Sequence, residues 1–309
     1  MRAVLVLGSA VSVPIFLAFG VVEELWAWHL LRFAFAFGVA LLFTVSEYIV
    51  VSRSGNGRRG ELIGWYAAAV AAGTAMGPMV VVAVGLHGMK PFLVGAALFL
   101  AVVVPVIFGA RADGRRAPAS PHCDRSLLAA LPVAFAAAMV FGIADSGGIG
   151  LLPVFGVQKG YSYEDAAALA SFAALGAILL QVPIARATER VEPVALLAGL
   201  SLGLVFLLLA LCHLTDSKPV TFMLALLSGG LVEGLYTIGL VYLGRRFAGP
   251  GLAAANACFV SMCGIGEVAG PLAVGAGMDG LGPQGYGLIL ASVLGLFAWF
   301  ASRSFAPAR

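Results

Sequence analysis

Charged residues are scarce in this sequence. Only 11% of its 309 residues are Asp, Glu, Lys or Arg, whereas 61% are hydrophobic and the mean hydropathy is +1.03. A typical soluble domain is about one quarter charged. So few charges cannot cover the surface of a soluble globule, which argues against soluble enzymes, nucleic-acid-binding proteins and disordered chains. The composition predicts an all-α, polytopic membrane protein.

Sequence motifs for metal and cofactor chemistry are also lacking. The four cysteines form no CxxC pair or other metal-ligand spacing. The chain contains no HExxH, GxGD or GxSG motif and no Walker A phosphate loop. We therefore predict that the protein is not an enzyme and needs no metal or cofactor.

Long apolar runs are present instead, separated by charged or Gly- and Pro-rich segments. A helix needs about 20 apolar residues to cross the hydrocarbon core, and only helices or closed barrels satisfy the backbone there. The runs are too continuous for the alternating pattern of a membrane barrel. Ten transmembrane helices are predicted, near residues 3–22, 27–52, 60–85, 90–110, 127–155, 163–185, 193–213, 219–243, 249–276 and 283–303.

The basic residues predict the orientation of these helices. If the ends alternate from Met1 onward, fourteen Lys and Arg fall on the side of the N-terminus and three on the other side, with Arg32 inside a span. The positive-inside rule places the first side in the cytoplasm. Both termini are therefore predicted to be cytoplasmic, in a cell membrane that we expect to be the cytoplasmic membrane of a bacterium.

A basic, proline-containing segment divides the chain unequally. Residues 111–126 are predicted to form a cytoplasmic linker between an N-terminal bundle of four helices, residues 1–110, and a C-terminal bundle of six, residues 127–309.

A short glycine motif occurs in both bundles. Small residues one turn apart allow two helix backbones to approach closely, and a following proline loosens the local hydrogen bonding. The motif GxxxGP occurs in the third span as Gly73, Gly77 and Pro78, and again in the ninth span as Gly266, Gly270 and Pro271. An internal repeat of this kind is typical of secondary transporters.

With these residues the chain resembles the major facilitator superfamily of membrane transporters. The antiporter pattern of that family's fifth helix, G-x8-G-x3-G-P-x2-G-G, matches Gly64, Gly73, Gly77 and Pro78, although two valines replace its final glycines. The pattern of the family's fourth helix, an Arg followed by small residues, is similar to the segment that begins at Arg32. A loop containing Arg186, Glu189 and Arg190 resembles the cytoplasmic gate motif of the family's second half.

The resemblance implies a fold of two bundles. The ten spans then correspond to the family's third through twelfth helices, and we expect the first two to be missing from this chain. A start codon assigned too far downstream and a naturally truncated relative are both compatible with this alignment.

Ionisable residues inside the spans are candidates for function, because each costs roughly 2.5–3.5 kcal/mol to insert. The resemblance implies that four of them line the central cavity, namely Arg32, Glu47, Asp145 and Glu233. A carboxyl group there could bind a proton at one membrane face and release it at the other, and Arg32 could hold an anionic group. Structural alternatives remain open: Glu47 could pair with Arg58 or Arg59, and Arg32 with Glu23 or Glu24. For Glu267, beside the second GxxxGP motif, a structural hydrogen bond is expected.

These observations predict a monomeric secondary active transporter that moves a small molecule by alternating access, with proton-coupled export favoured by the antiporter pattern. Two alternatives stay open, a ten-helix drug/metabolite-type transporter and a truncated membrane protein that transports nothing. The ten-helix class expects two halves of five spans, whereas residue 150 falls inside the fifth span. The expected partners are the substrate, protons and the lipid bilayer.

Overall fold

The computed structural model describes residues 2–53, 59–84, 88–109, 125–213 and 217–304. These residues are helical almost throughout and include no strand. The first four helices are α1 (Arg2–Ala18), α2 (Leu25–Arg53), α3 (Arg59–Val84) and α4 (Lys90–Gly109). Then follow α5 (Arg125–Ala130), α6 (Pro132–Gly142), a π-helix (Ile143–Ile149) and α7 (Leu152–Gln158). The last five are α8 (Tyr163–Ala187), α9 (Pro193–His213), α10 (Lys218–Arg246), α11 (Gly249–Leu281) and α12 (Pro283–Ser304).

The helices occupy the predicted spans closely. Within the described residues, seven helical segments are long and apolar enough to cross a membrane. They are Leu25–Arg53, Pro132–Ile149, Tyr163–Ala187, Pro193–His213, Lys218–Arg246, Gly249–Leu281 and Pro283–Ser304. Helices α1, α3 and α4 lie at the other three predicted positions. The protein is therefore an all-α, polytopic membrane protein, as predicted.

The fifth predicted span, residues 127–155, is divided rather than continuous. Pro132 begins α6, and the residue before it, Leu131, has φ −146° and ψ 58°, outside the helical region. This break has a steric cause, since proline disfavours the helical conformation in the residue that precedes it. After Gly142 the hydrogen bonding widens into the π-helix, where the amide of Gly150 donates to the carbonyl of Asp145 at 2.9 Å.

Two compact units can be distinguished, and the first comprises residues 1–49 and 76–120. In this unit α1 packs along α4. Phenylalanine rings fill the contacts, with Phe16 lying 5.5 Å from Phe35 and 6.0 Å from Phe99 between ring centroids. Gly38 of α2 faces Ser12 of α1.

The second unit comprises residues 50–75 and 121–309. Its main helix pairs are α8 with α10, α9 with α12, and α11 with α6 and the π-helix. Residues 50–75 thus group with the C-terminal helices, although the sequence assigned them to the N-terminal bundle. Most of the predicted linker, residues 111–124, lies outside the described residues, and the division into bundles of four and six helices stays a prediction.

Candidate functional site

Asp145 lies in the π-helix of the divided fifth span. Short π-helical segments inside α-helices are frequent at functional sites, because the widened turn redirects side chains. Two glycines, Gly147 and Gly148, follow Asp145 and are both buried. The sequence identified Asp145 and the weakening effect of these glycines, but it did not predict the π-helix.

Glu233 lies on α10 at the same depth as Asp145. The rings of Phe141 on α6 and Tyr236 on α10 are in contact, with centroids 4.8 Å apart. Asp145 is four residues after Phe141, and Glu233 is three residues before Tyr236. Because the alternation of spans makes these two helices antiparallel, both carboxyl groups lie about one turn beyond the ring contact, on the same side of it. Their charges interact electrostatically.

Glu267 of α11 approaches Asp145 from a third helix. Gly142 packs against the main chain of Cys263 and Glu267, and Gly147 packs against Gly270. Asp145 lies between those two glycines in sequence, so it is level with Glu267, and the two carboxyl groups also interact electrostatically. The thiol of Cys263 donates a hydrogen bond to Oε1 of Glu267 at 3.4 Å, which agrees with the structural role expected for this residue.

We call Asp145, Glu233 and Glu267 the carboxyl cluster. Within the described part of the chain, no Lys or Arg forms an ion pair with any of the three. Neighbouring carboxylates repel one another in a medium of low dielectric constant. A proton bound by Asp145 or by Glu233 therefore reduces the repulsion between these two groups. No group of three potential metal ligands was found among the described side chains.

The second GxxxGP motif forms a close helix contact. A methyl group placed on Gly270 would lie 2.7 Å from the carbonyl oxygen of Ile143, and one on Gly266 would meet the carbonyl of Met139. The motif thus packs α11 against α6 and the π-helix, beside the carboxyl cluster. Pro271 follows within the same continuous helix.

The glycines of the antiporter pattern differ in how closely other helices approach them. Gly64 of α3 packs against α8, where an added methyl group would lie 2.7 Å from Cβ of Ala185 and 3.2 Å from the carbonyl of Gln181. A methyl group added to Gly73 or to Gly77 would meet no atom of another helix within 4 Å among the described residues. The side chain of Pro78 lies outside the part of the chain that the structure describes.

Arg32 and Glu47 both lie on α2, in the first unit. The side chain of Arg32 is exposed, whereas Glu47 is completely buried. Fifteen residues of helix separate them by about 22 Å, so the structure does not bring these two candidates together. Arg58, one of the partners suggested for Glu47, lies outside the described residues.

Arg186 of the predicted gate motif belongs to a ring of three contacts among α3, α8 and α10. Arg186, at the end of α8, forms a salt bridge of 2.9 Å with Glu61 of α3. Arg59 of α3 donates to the carbonyl of Gly244, near the end of α10. Arg245 of α10 donates to the carbonyl of Thr188, the residue that caps α8, at 2.5 Å. Each helix therefore supplies an arginine that binds the next, and we call Arg59, Arg186 and Arg245 the arginine ring.

The arginine ring combines one salt bridge to a carboxylate with two hydrogen bonds to main-chain carbonyls at helix ends. The last carbonyls of a helix lack partners within it, and cations are favoured at that end of the helix dipole. Glu189 and Arg190, the other members of the predicted motif, are exposed. The sequence did not identify Arg59, Glu61 or Arg245 as members of this site, because the contacts join residues 57 to 185 positions apart.

Comparisons with known proteins agree with the helical architecture. The family model described as Major Facilitator Superfamily matches residues 1–236. An uncharacterized MFS-type transporter of Bacillus subtilis, YfkF, is 25% identical over 293 residues, which cover 89% of this chain and 71% of that protein. The uncharacterized MFS-type transporter YcaD of Escherichia coli is 24% identical over 259 residues, covering 82% of this chain and 65% of that protein.

Solved structures show the same fold. The fucose:proton symporter FucP of E. coli superposes with a TM-score of 0.78 at 15% identity, over 99% of this chain and 84% of that one. The human organic anion transporter MFSD10 also gives a TM-score of 0.78, at 18% identity, over 97% of this chain and 76% of that one. The family model extends from α1 through most of α10. It therefore favours the major facilitator superfamily over the ten-helix drug/metabolite class. The chain belongs to the Major Facilitator Superfamily.

Proposed function

We propose that this protein is a secondary transporter that exports a small molecule in exchange for protons, by alternating access between two helical bundles. The superfamily to which it belongs supports the transporter class. The antiporter-like glycine pattern from Gly64 to Pro78 supports export.

The observation that carries the proposal is the pairing of Asp145 with Glu233. Both are partly buried, and they lie level on two helices that span the membrane. Coupling of transport to protons needs a group that binds a proton at one stage of the cycle and releases it at another. Two interacting carboxyls without a described basic partner meet this need, because one proton on either changes the charge of the pair. Arg32 and Glu47 are proposed as further residues that bind the substrate or carry the proton.

The cytoplasmic end of the transporter is proposed to close through the arginine ring, with Arg186 in the gate loop that also contains Glu189 and Arg190. Both termini are proposed to be cytoplasmic in a bacterial cytoplasmic membrane, with the protein acting as a monomer. The distribution of fourteen basic residues on one side and three on the other supports this orientation.

The test is substrate-dependent proton movement in inside-out vesicles that have an acidic interior. Organic anions and fucose are the first probes, because the structural neighbours transport an organic anion and fucose with a proton. Export in exchange for protons predicts that an added substrate releases protons from the interior, reported by a pH-sensitive dye. Proton entry with the substrate in right-side-out vesicles would instead indicate uptake by symport.

The carboxyl variants identify the proton-coupling groups. Asp145→Asn and Glu233→Gln are each expected to abolish proton-coupled flux while leaving folded protein in the membrane. Asp279→Asn and Glu164→Gln are matched controls, since both side chains are exposed and neither belongs to the carboxyl cluster or the gate loop, and they should transport normally. Unchanged flux and pH dependence in both cluster variants would remove these carboxyls from the mechanism. No substrate-dependent flux with any probe class would favour the non-transporting alternative.

A further inference from the structure

Gln181 of α8 has a buried amide that is only half satisfied. The side chain is completely buried, within two turns of the helix end that carries Arg186. Its Oε1 accepts a hydrogen bond of 2.5 Å from the hydroxyl of Thr237 on α10. Its Nε2 has no hydrogen-bond partner among the described residues. Most buried polar atoms in proteins are satisfied, so an amide nitrogen without an acceptor needs a physical explanation.

The side chain of Gln181 points between two packed faces of α8. At Ile184 the helix packs against α10, where a methyl group added to Gly234 would lie 3.0 Å from Cδ1 of Ile184. At Ala185 it packs against Gly64 of α3. Helix geometry places Gln181 about 60° from Ile184 and about 40° from Ala185, in opposite directions around the axis. The amide therefore faces the space between α10 and α3.

Contacts of α3 with α8 close this space on one side. A methyl group added to Gly60 of α3 would lie 2.8 Å from Oγ1 of Thr188, and Thr188 is only 1% exposed. The salt bridge between Glu61 of α3 and Arg186 of α8 lies at the same level. The packing of α3 on α8 thus keeps water away from Gln181.

The unpaired nitrogen makes this closed arrangement less stable. A buried donor without an acceptor loses the hydrogen bond that it makes in water. Water supplies that acceptor when α3 and α8 separate. The bond to Thr237 persists, because Gly176 and Gly229 hold the main chains of α8 and α10 in close contact. The cost of the unpaired donor therefore belongs to the closed arrangement alone.

We propose that the unpaired amide of Gln181 is a conformational device that favours opening of the end of the protein that carries the arginine ring. This inference rests on the proposed alternating access. The arginine ring and the contacts of Gly60 and Gly64 hold α3 against α8, and the amide opposes them. Its effect keeps the closed and open arrangements close in free energy, so that both are populated during a transport cycle.

Alkylation of Thr188→Cys measures this opening. The substitution keeps the main-chain carbonyl that Arg245 binds, and the side chain at position 188 is covered by Gly60 while the end is closed. The rate of reaction with N-ethylmaleimide therefore follows the population of the open arrangement. The protein is the purified full-length chain in detergent. Mass spectrometry of the peptide that contains position 188 separates this label from label on the four native cysteines.

Two further variants should change the rate in opposite directions. Gln181→Met keeps the approximate size of the side chain without the amide, and it should slow alkylation at least about fivefold, the lower end of the range for one unpaired buried donor. The Thr237 hydroxyl can then donate to a carbonyl of its own helix. Thr237→Val leaves both polar atoms of the amide unpaired and should accelerate alkylation. The matched control is Ser228→Ala, since this buried serine of α10 bonds within its own helix, and the rate should not change.

A rate in Gln181→Met that equals or exceeds that of the parent chain would overturn the proposal, as would a slower rate in Thr237→Val or no labelling of Thr188→Cys at all. Thermal unfolding in detergent checks that each variant is folded. The assay needs no substrate and no proton gradient, so it is independent of the transport test. Opposite rate changes without any substrate flux would reject the proposed function alone. Normal flux with unchanged rates would reject the role of Gln181 alone.

Discussion

Arg186, in the last turn of α8, donates a hydrogen bond of 2.9 Å to the carboxylate of Glu61, in the first turn of α3. This pair is the only member of the arginine ring in which the acceptor is a side chain. It joins two residues 125 positions apart. It connects α8 to α3, whereas Arg59 connects α3 to α10 and Arg245 connects α10 to α8.

The first prediction concerns the energy of this pair. Because Arg186 is 55% exposed and Glu61 is 22% exposed, we expect a coupling of only about 0.5 kcal/mol, typical of solvated ion pairs. A double-mutant cycle with Arg186→Gln and Glu61→Gln, measured by thermal unfolding in detergent, gives this value. The exchanged pair Arg186→Glu with Glu61→Arg should recover only part of the lost stability, because each charge then lies at the unfavourable end of its helix dipole. Strictly additive single variants would contradict the prediction.

The second prediction compares equivalent glycines of the two GxxxGP motifs. Gly270→Ala should lower the free energy of unfolding by about 1–3 kcal/mol, the usual cost of overpacking, because its methyl group would meet the backbone of Ile143. Gly77→Ala should be neutral or stabilising, because alanine is favoured over glycine in helices by about 1 kcal/mol. Thermal unfolding of both variants is the measurement. Equal losses would mean that Gly77 packs as tightly as Gly270.

The third prediction concerns the contact between α12 and the π-helix. The hydroxyl of Tyr286, which is almost completely buried, donates a hydrogen bond of 3.1 Å to the carbonyl of Gly148. Tyr286→Phe should cost about 1 kcal/mol, the net value of one hydrogen bond, while the ring still stacks on Phe155. The exposed Tyr163 supplies the control, and Tyr163→Phe should leave thermal stability unchanged. No difference between the two variants would show that the hydroxyl contact contributes nothing.

The fourth prediction separates the members of the carboxyl cluster. Glu267→Gln keeps an oxygen that accepts from the Cys263 thiol, and it removes one negative charge near Asp145. We therefore expect proton-coupled flux to persist in Glu267→Gln, unlike in Asp145→Asn and Glu233→Gln. Loss of flux in all three would assign the proton to the whole cluster.

Helix positions could be predicted from the sequence because hydropathy and span length depend on local composition. Thus the predicted span 193–213 and the helix Pro193–His213 coincide. The division of the fifth span could be predicted only in part from the sequence. Pro132 is a local signal for the break at Leu131, but the π-helix lies where Gly147 meets Gly270, and that contact depends on which helices become neighbours.

The proximity of Asp145 to Glu233 could not be predicted either, because it also depends on which helices become neighbours. The sequence identified Asp145 and Glu233 as costly charges in apolar segments, but their shared depth follows from the contact of Phe141 with Tyr236. Arg59 and Arg245 gave no signal either, because basic residues at span ends are common and their acceptors are main-chain carbonyls, which every residue carries.

Those main-chain acceptors have a consequence for how the sequence can diverge. The oxygen atoms bound by Arg59 and Arg245 remain when the residues at positions 188 and 244 are replaced, provided that the helices keep their paths. Selection on these two contacts therefore acts on the donor alone. Related chains are expected to retain a guanidinium at positions 59 and 245 and to vary opposite it only where packing allows, which disfavours larger residues at position 244, where a methyl group would lie 2.5 Å from Cγ1 of Val51. Positions 186 and 61 interact through both side chains, so substitutions there are expected to be correlated.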